Sequence, residues 1–343
     1  MKIRIFFGVL LLVLFSAALI YADSSTSHFF NVINQPLPEY EPVYPLLKQY
    51  FADSVPETII VSYTKRKTSQ FNPNSEIVLI SEFVQKDNAV AVVGHESSHL
   101  SLANLTQGAS VMEQFRFFDE GFADIFESIV QKDTEAFKRD SLIIAALQSQ
   151  NHNVSFKKVQ NWSEYFGNPQ VKTNFYAYPV GSSFDFFIID TYGMEQLFAF
   201  FKDIGNTQDL EKSIKNVFKK DQQVLETDWL RYLGKVDVSV AAPQIIKFYP
   251  ENKMSNISPN TSEIYIEFTT PMMPLIRLIT SQTTGISYKD AYWKTPKILA
   301  VKVKLQPNCS YVISLGDRDH GRFLSKYGIA LPVTEWSFTT GLE

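Results

Sequence analysis

The chain of 343 residues has a single cysteine, Cys309. An intramolecular disulfide is therefore impossible, and stability must come from packing, with a metal centre as the one further staple open to it. Histidine is scarce at five residues. Positive charge is also in short supply: 32 Lys and Arg against 36 Asp and Glu leave a net charge of −4. No Lys/Arg tract interleaved with aromatics is present, so a nucleic-acid partner is not expected. The sequence shows no internal repeat and no long low-complexity tract. Hydrophobic content of 45% and charged content of 20% are ordinary for a globular chain, and the length suggests two domains.

The first 22 residues differ from the rest. Lys2 and Arg4 precede an apolar run from Ile5 to Ile20, and Ile20, Tyr21 and Ala22 offer a small residue at a cleavage position before polar "DSSTS". Residues 1–22 are read as a secretory signal peptide. The run is shorter than the about 20 residues a membrane span needs, so no stable span is expected after cleavage. No cysteine follows it for lipid attachment. Export without disulfides suits a periplasmic, cell-envelope or secreted bacterial protein.

Two β-branched stretches come next, "ETIIVSYT" (57–64) and "SEIVLIS" (75–81), and predict a small sheet. From about Asp87 to Phe218 the period turns helical, and "DQQVLETDWLRYL" adds a last helix that stops at Gly234. Residues 235–242, "KVDVSVAA", read as a linker. Beyond them strands alternate: "EIYIEF", "ILAVKVKL" with Leu299, Val301, Val303 and Leu305 on one face, "SYVISL" and "EWSFTT". The expected class is α+β, with a small sheet and a mainly helical domain over 23–234 followed by an all-β sandwich over 243–343.

The stretch "GHESSHL" (94–100) carries the chemistry. In a shuffled chain of this composition His-Glu-x-x-His is expected only about four times in a thousand. On a helix, residues four apart stand one turn above each other, so His95 and His99 can reach one ion while Glu96 stays beside it. Asp87 or Asn88 is a candidate N-cap, Val90, Val93, Ser97, Leu100 and Ala103 form a core stripe, and Gly94 leaves room for a neighbouring backbone. A catalytic zinc needs a third protein ligand. Leucines at 102 and 105 exclude the metzincin arrangement with a histidine six residues after His99. In "FFDEGFADIFE" (117–127), Glu120 is a candidate ligand and Asp124, four residues on, can accept the free ring N–H of a ligating histidine.

With His95, Glu96, His99 and the run Glu120, Gly121, Phe122, Ala123 and Asp124, the sequence resembles the gluzincin metallopeptidases, the clan of thermolysin and the alanyl-aminopeptidase-like enzymes. The resemblance covers about 58–233, with ligand spacing a residue or two longer here. It implies Zn2+ held by His95, His99 and Glu120, a zinc-bound water activated by Glu96, Asp124 behind the ligands, and Tyr178 as donor to the oxyanion, with Tyr176 as its competitor. "YPVGSSFDFFIIDTYG" and "LETDWLRYL" look like the helical tail of small exported members. "GASVMEQ" (108–114) is only superficially like an amine-binding signature, and Glu113 is read as helix surface. Without an amine anchor, endopeptidase action is expected. The strand "SEIVLIS" is the candidate edge for a substrate backbone. His28, His152 and His320 fall outside any ligand spacing.

With Pro243 and Ile245 in "APQIIKFYPENK", Phe268, Pro271 and Met272 closing "EIYIEFTTPM", and Phe338, Thr339 and Thr340 in "WSFTTG", the stretch 242–341 resembles bacterial Ig-like domains of S-layer type, which implies a spacer or binding module with possible cell-envelope contact. The expectation is an exported zinc metallopeptidase acting on a peptide or protein substrate. The alternative is a catalytically inactive zinc-binding, peptidase-like envelope protein that serves as an interaction or adhesion module.

Overall fold

A computed structural model describes residues 27–167, 176–276, 278–280, 285–316 and 321–342. The expected signal peptide and His320 lie outside these residues. The chain is a mixed α+β protein.

The N-terminal sheet is built from β1 (Phe29–Asn31), β2 (Ile59–Thr64), β3 (Gln70–Asn72) and β4 (Ile77–Ser81) in the order β1-β2-β4-β3. β1, β2 and β4 are parallel, and β3 runs antiparallel to β4. This corrects the reading of "SEIVLIS" as an edge. β4 is paired on both sides, and the edge is β3, three residues that are too short to register as a strand in the sequence. Between β1 and β2 lies α1 (Val43–Phe51), which the proline-rich "EPVYP" concealed. Pro42 is its N-cap and Pro45 sits in the first turn, where no backbone N–H is needed.

The helices that follow are α2 (Ala89–Leu105), α3 (Arg116–Gln131), α4 (Thr134–Gln150), α5 (Phe156–Val159), α6 (Trp162–Gly167), α7 (Ala177–Tyr192), α8 (Met194–Thr207), α9 (Leu210–Phe218) and α10 (Gln222–Leu233). α2 lies between the sheet and α3 and is buried on nearly every face. Two of its buried serines bond locally: Ser98 Oγ donates to the His95 carbonyl at 2.7 Å and Ser101 Oγ to that of Ser97 at 2.9 Å. Its start is a short 3-10 turn, Lys86–Asn88, and Asn88 makes no side-chain cap bond, so the expected cap is not formed. Gly94 meets side chains of α3, Val130 and Phe126, rather than backbone.

α3 crosses α7 at two glycines. A Cβ on Gly121 would stand 2.4 Å from the Gly181 carbonyl carbon, and one on Gly181 would stand 2.2 Å from the Phe117 carbonyl oxygen. Around this crossing an aromatic core closes, with Phe118 edge-on to Phe184 at 5.0 Å and to Phe200 at 5.2 Å. Buried Trp229 is satisfied by Ser183 Oγ at 3.2 Å.

The C-terminal strands are β5 (Ile245–Tyr249), β6 (Met254–Ile257), β7 (Glu263–Phe268), β8 (Leu278–Thr280), β9 (Ile286–Thr295), β10 (Ile298–Val303), β11 (Ser310–Leu315) and β12 (Thr334–Thr340). They form two four-stranded sheets, β5-β7-β10-β9 and β6-β12-β11-β8. Ile264, Ile266, Leu299 and Val301 from one sheet share a core with Tyr311, Ile313, Trp336 and Phe338 from the other. The two parts of the chain touch at Asp140 of α4, which accepts from Lys326 Nζ at 2.5 Å and Tyr327 Oη at 2.8 Å. Ala241, within the stretch read as a linker, is buried with Ile143 and Tyr327.

Candidate metal centre

Where α2 faces α3, three ligand-type atoms converge. His95 and His99, one helical turn apart, bring their Nε2 atoms to 3.2 Å. Glu120 Oε2 from α3 stands 3.3 Å from His99 Nε2 and 3.7 Å from His95 Nε2. Tetrahedral zinc with bonds of about 2.0–2.1 Å spaces its ligand atoms about 3.3 Å apart, so the triangle has the size such an ion requires. Arg116, one turn before Glu120, holds the other carboxylate oxygen, Oε1, at 2.6 Å from Nη2. Only Oε2 is left to face the histidines.

The outer ring nitrogens are backed by carboxylates. His99 Nδ1 lies 2.9 Å from Asp119 Oδ2, the oxygen to which Arg116 Nη1 donates at 3.0 Å. His95 Nδ1 lies 3.3 Å from Asp124 and 3.2 Å from Glu127. Neither Nδ1 makes an aligned hydrogen bond, yet the contacts suit the orienting carboxylates that ligating histidines require. His95 Nδ1, Asp124 and Glu127 form a second group of ligand-type atoms; sharing His95, it reads as support for the first. Asp119, Arg116 and Glu127 were missed in the sequence. Their signal was there: Arg116, Asp119, Glu120, Asp124 and Glu127 recur at three- and four-residue steps, one face of one helix.

Negative charge is in excess here. Burial disfavours the charged imidazoles, but Glu120 and Glu127 outweigh it at His95, whose pKa rises well above the ordinary value. At His99 burial is overcome by Asp119 and Glu120, and the pKa rises to about 9. Burial works against ionised Glu120 too, yet His99 and His95 hold its pKa well below the usual carboxylate range. Burial lifts Asp124 to about 7. A cluster of carboxylates around two imidazoles demands compensating positive charge, from protons or from a cation.

Glu96 is 5% exposed and its pKa is raised, chiefly by burial. With His95, Asp124, Glu127 and Tyr178 it lines a cleft of about 480 Å3 that also takes in Thr68, Ser69, Val84 and Pro179. Tyr178 stacks edge-on against Trp162 and Phe166, and burial together with Glu120 keeps its phenol protonated. Tyr176 is elsewhere, its hydroxyl filling the space beside Gly328 of the β-rich half. Glu113 is in a turn, not a helix, and accepts from Ser163 N at 2.5 Å and Ser163 Oγ at 3.0 Å at the start of α6. His28 pairs with Glu41 at 2.9 Å, and His152 occupies a turn with φ of 57°.

No family model and no curated protein matches the chain. Among solved structures it is similar to CopC from Methylosinus trichosporium OB3b at 16% identity, over 29% of this chain and 93% of that one, with a TM-score of 0.22. It is also similar to the surface layer protein SbsC, domains 1–6, at 11% identity over 75% of this chain and 37% of that one, TM-score 0.19. A further S-layer structure, rSbsC(31-844), matches at 10% identity over 88% of this chain and 45% of that one, TM-score 0.20. The chain thus spans under half the length of either S-layer structure. Among the described residues no helix is long and apolar enough to cross a membrane.

Proposed function

We propose that this chain is an exported zinc metallopeptidase of gluzincin type that hydrolyses peptide bonds. The observation that carries the reading is the triangle of His95 Nε2, His99 Nε2 and Glu120 Oε2, sized for zinc and set beside Glu96 at the wall of an open cleft. His95, His99 and Glu120 would hold the ion. When bound, zinc supplies Lewis-acid polarisation of the scissile carbonyl and acidifies a water. Glu96, with its raised pKa, accepts the proton from the attacking water and delivers it to the leaving amine. The protonated phenol of Tyr178 donates a hydrogen bond to the carbonyl oxygen as charge develops there. Asp119, Asp124 and Glu127 keep both imidazoles turned with Nε2 inward.

The test is metal content by mass spectrometry on purified protein, beside a casein-cleavage assay with and without chelator. One zinc per chain, lost in Glu120→Ala, with chelator-sensitive cleavage is the expected result. Zinc without cleavage would favour the inactive, peptidase-like interaction module, and absence of bound zinc would overturn both readings.

A further inference from the structure

Three loops meet at one end of the N-terminal sheet. Because β1, β2 and β4 are parallel, their C-terminal ends lie side by side at about 5 Å per strand. The turn after β1 carries Val32 and Ile33, 60% and 70% exposed; the end of β2 carries Tyr63, 51% exposed; the loop after β4 carries Phe83, 70% exposed. Apart from Leu342 near the C-terminus, no other large apolar residue among those described reaches 60%. Exposed apolar residues gathered from separate loops mark a contact surface.

Beside them Lys65, Arg66 and Lys67 follow β2, all exposed. None of the ion pairs among the described residues involves them. Their backbone is pinned to β4: Ser81 Oγ donates to the Arg66 carbonyl at 2.7 Å, and Ser81 N donates to Ser69 Oγ at 2.9 Å. The neighbouring loop adds Lys86 and sets Glu82 and Asp87 against it. Within these two loops four cations stand against two carboxylates, all exposed, whereas the acids of the adjoining cleft, Glu96, Asp124 and Glu127, are less exposed and face His95.

Apolar loop tips with cations in the same and adjoining loops match the boundary of an anionic bilayer, where aliphatic and phenyl groups enter the acyl edge, tyrosine sits among headgroups and cations meet phosphates. We infer that this end of the molecule docks on an anionic phospholipid surface. The same loops supply Thr68, Ser69 and Val84 to the cleft, so docking brings the cleft mouth to the membrane. The inference stands whether or not the cleft is hydrolytic.

The test uses the full chain with Cys309→Ser as background and Phe83→Cys carrying an environment-sensitive fluorophore, with Ile33→Cys as a second reporter and Val333→Cys as a control. Vesicles of equimolar phosphatidylcholine and phosphatidylglycerol should blue-shift the label at 83 and 33 and leave 333 unchanged. Each cation near the surface contributes roughly fivefold, so Lys65→Gln, Arg66→Gln and Lys67→Gln together should weaken the response about a hundredfold. The inference is overturned by no shift, by an equal shift at 333, or by an equal response to pure phosphatidylcholine. A shift produced by added protein rather than lipid assigns the patch to a protein partner and also overturns it.

Discussion

Arg116 shows how much a single side chain decides at the site. Its guanidinium engages Asp119 and Glu120 together, orienting one carboxylate behind His99 and restricting the other to one free oxygen. Arg116→Ala should weaken zinc affinity about 10–100-fold, the usual cost of losing an outer partner, read by chelator competition; unchanged affinity would remove Arg116 from the site. Glu96→Gln should lower cleavage by about 10²–10⁴-fold with zinc retained, and activity within twofold of the parent would sink the base assignment. The imidazoles give a pH signature in chelator-treated protein. His99 has a folded pKa of about 9 against 6.5 unfolded, so the folded state binds the proton more tightly. Its contribution to stability is complete below pH 6.5 and is lost as pH rises through about 9. Asp124, raised from 3.8 to about 7, acts in the same direction at lower pH, since ionising it costs the folded state. The urea midpoint should therefore fall between pH 6.5 and 9 without metal. With zinc the trend should reverse, because binding needs the neutral imidazole. The histidine pair and Glu96 are legible in sequence because their geometry is local to one helix; Asp119 gains its role only from His99 on another helix, and Arg116 gains its own through Asp119 and Glu120, the carboxylates it holds beside the histidines.

Among the elements, the α3–α7 crossing is where the motif and the core meet. In "DEGFAD", Glu120 and Asp124 face the site, Gly121 faces α7 and Phe122 enters the aromatic core. One short run thus carries a candidate metal ligand and a close-packing glycine at once. Gly121→Ala sets a methyl against the Gly181 backbone, which cannot swing aside as a side chain can. A loss of about 1–3 kcal/mol or more is expected, measured by urea unfolding, together with weaker metal binding as α3 is displaced; parent-like stability would show that the helices can separate freely. The sheet teaches a different lesson. β2 and β4 are visible as β-branched runs, whereas β1 and β3, three residues each, owe their strand form to the neighbours that pair with them. Edge and interior could therefore not be told apart from the sequence pattern of β4 alone.

For the molecule as a whole, Asp140 joins the helical part to the strands by accepting from Lys326 and Tyr327. Asp140→Ala should accelerate limited proteolysis within 235–242 by about thirtyfold, the equivalent of roughly 2 kcal/mol for two lost hydrogen bonds, with metal content unchanged. Unaltered proteolysis would mean that Ala241, Ile143 and Tyr327 hold the junction by packing alone. What the sequence determined by itself is whatever depends on short-range period: the mixed α+β class, the alternation that separates helix from strand, and the four-residue step that stacks His95 on His99. What only the tertiary structure decided is which surfaces meet: Glu120 Oε2 opposite the imidazoles, β3 at the sheet edge, and Tyr176 turned to Gly328 while Tyr178 lines the cleft. The physical reason is that a helix or strand repeat sets side-chain direction within an element, whereas distances between elements follow from packing of residues far apart in the chain.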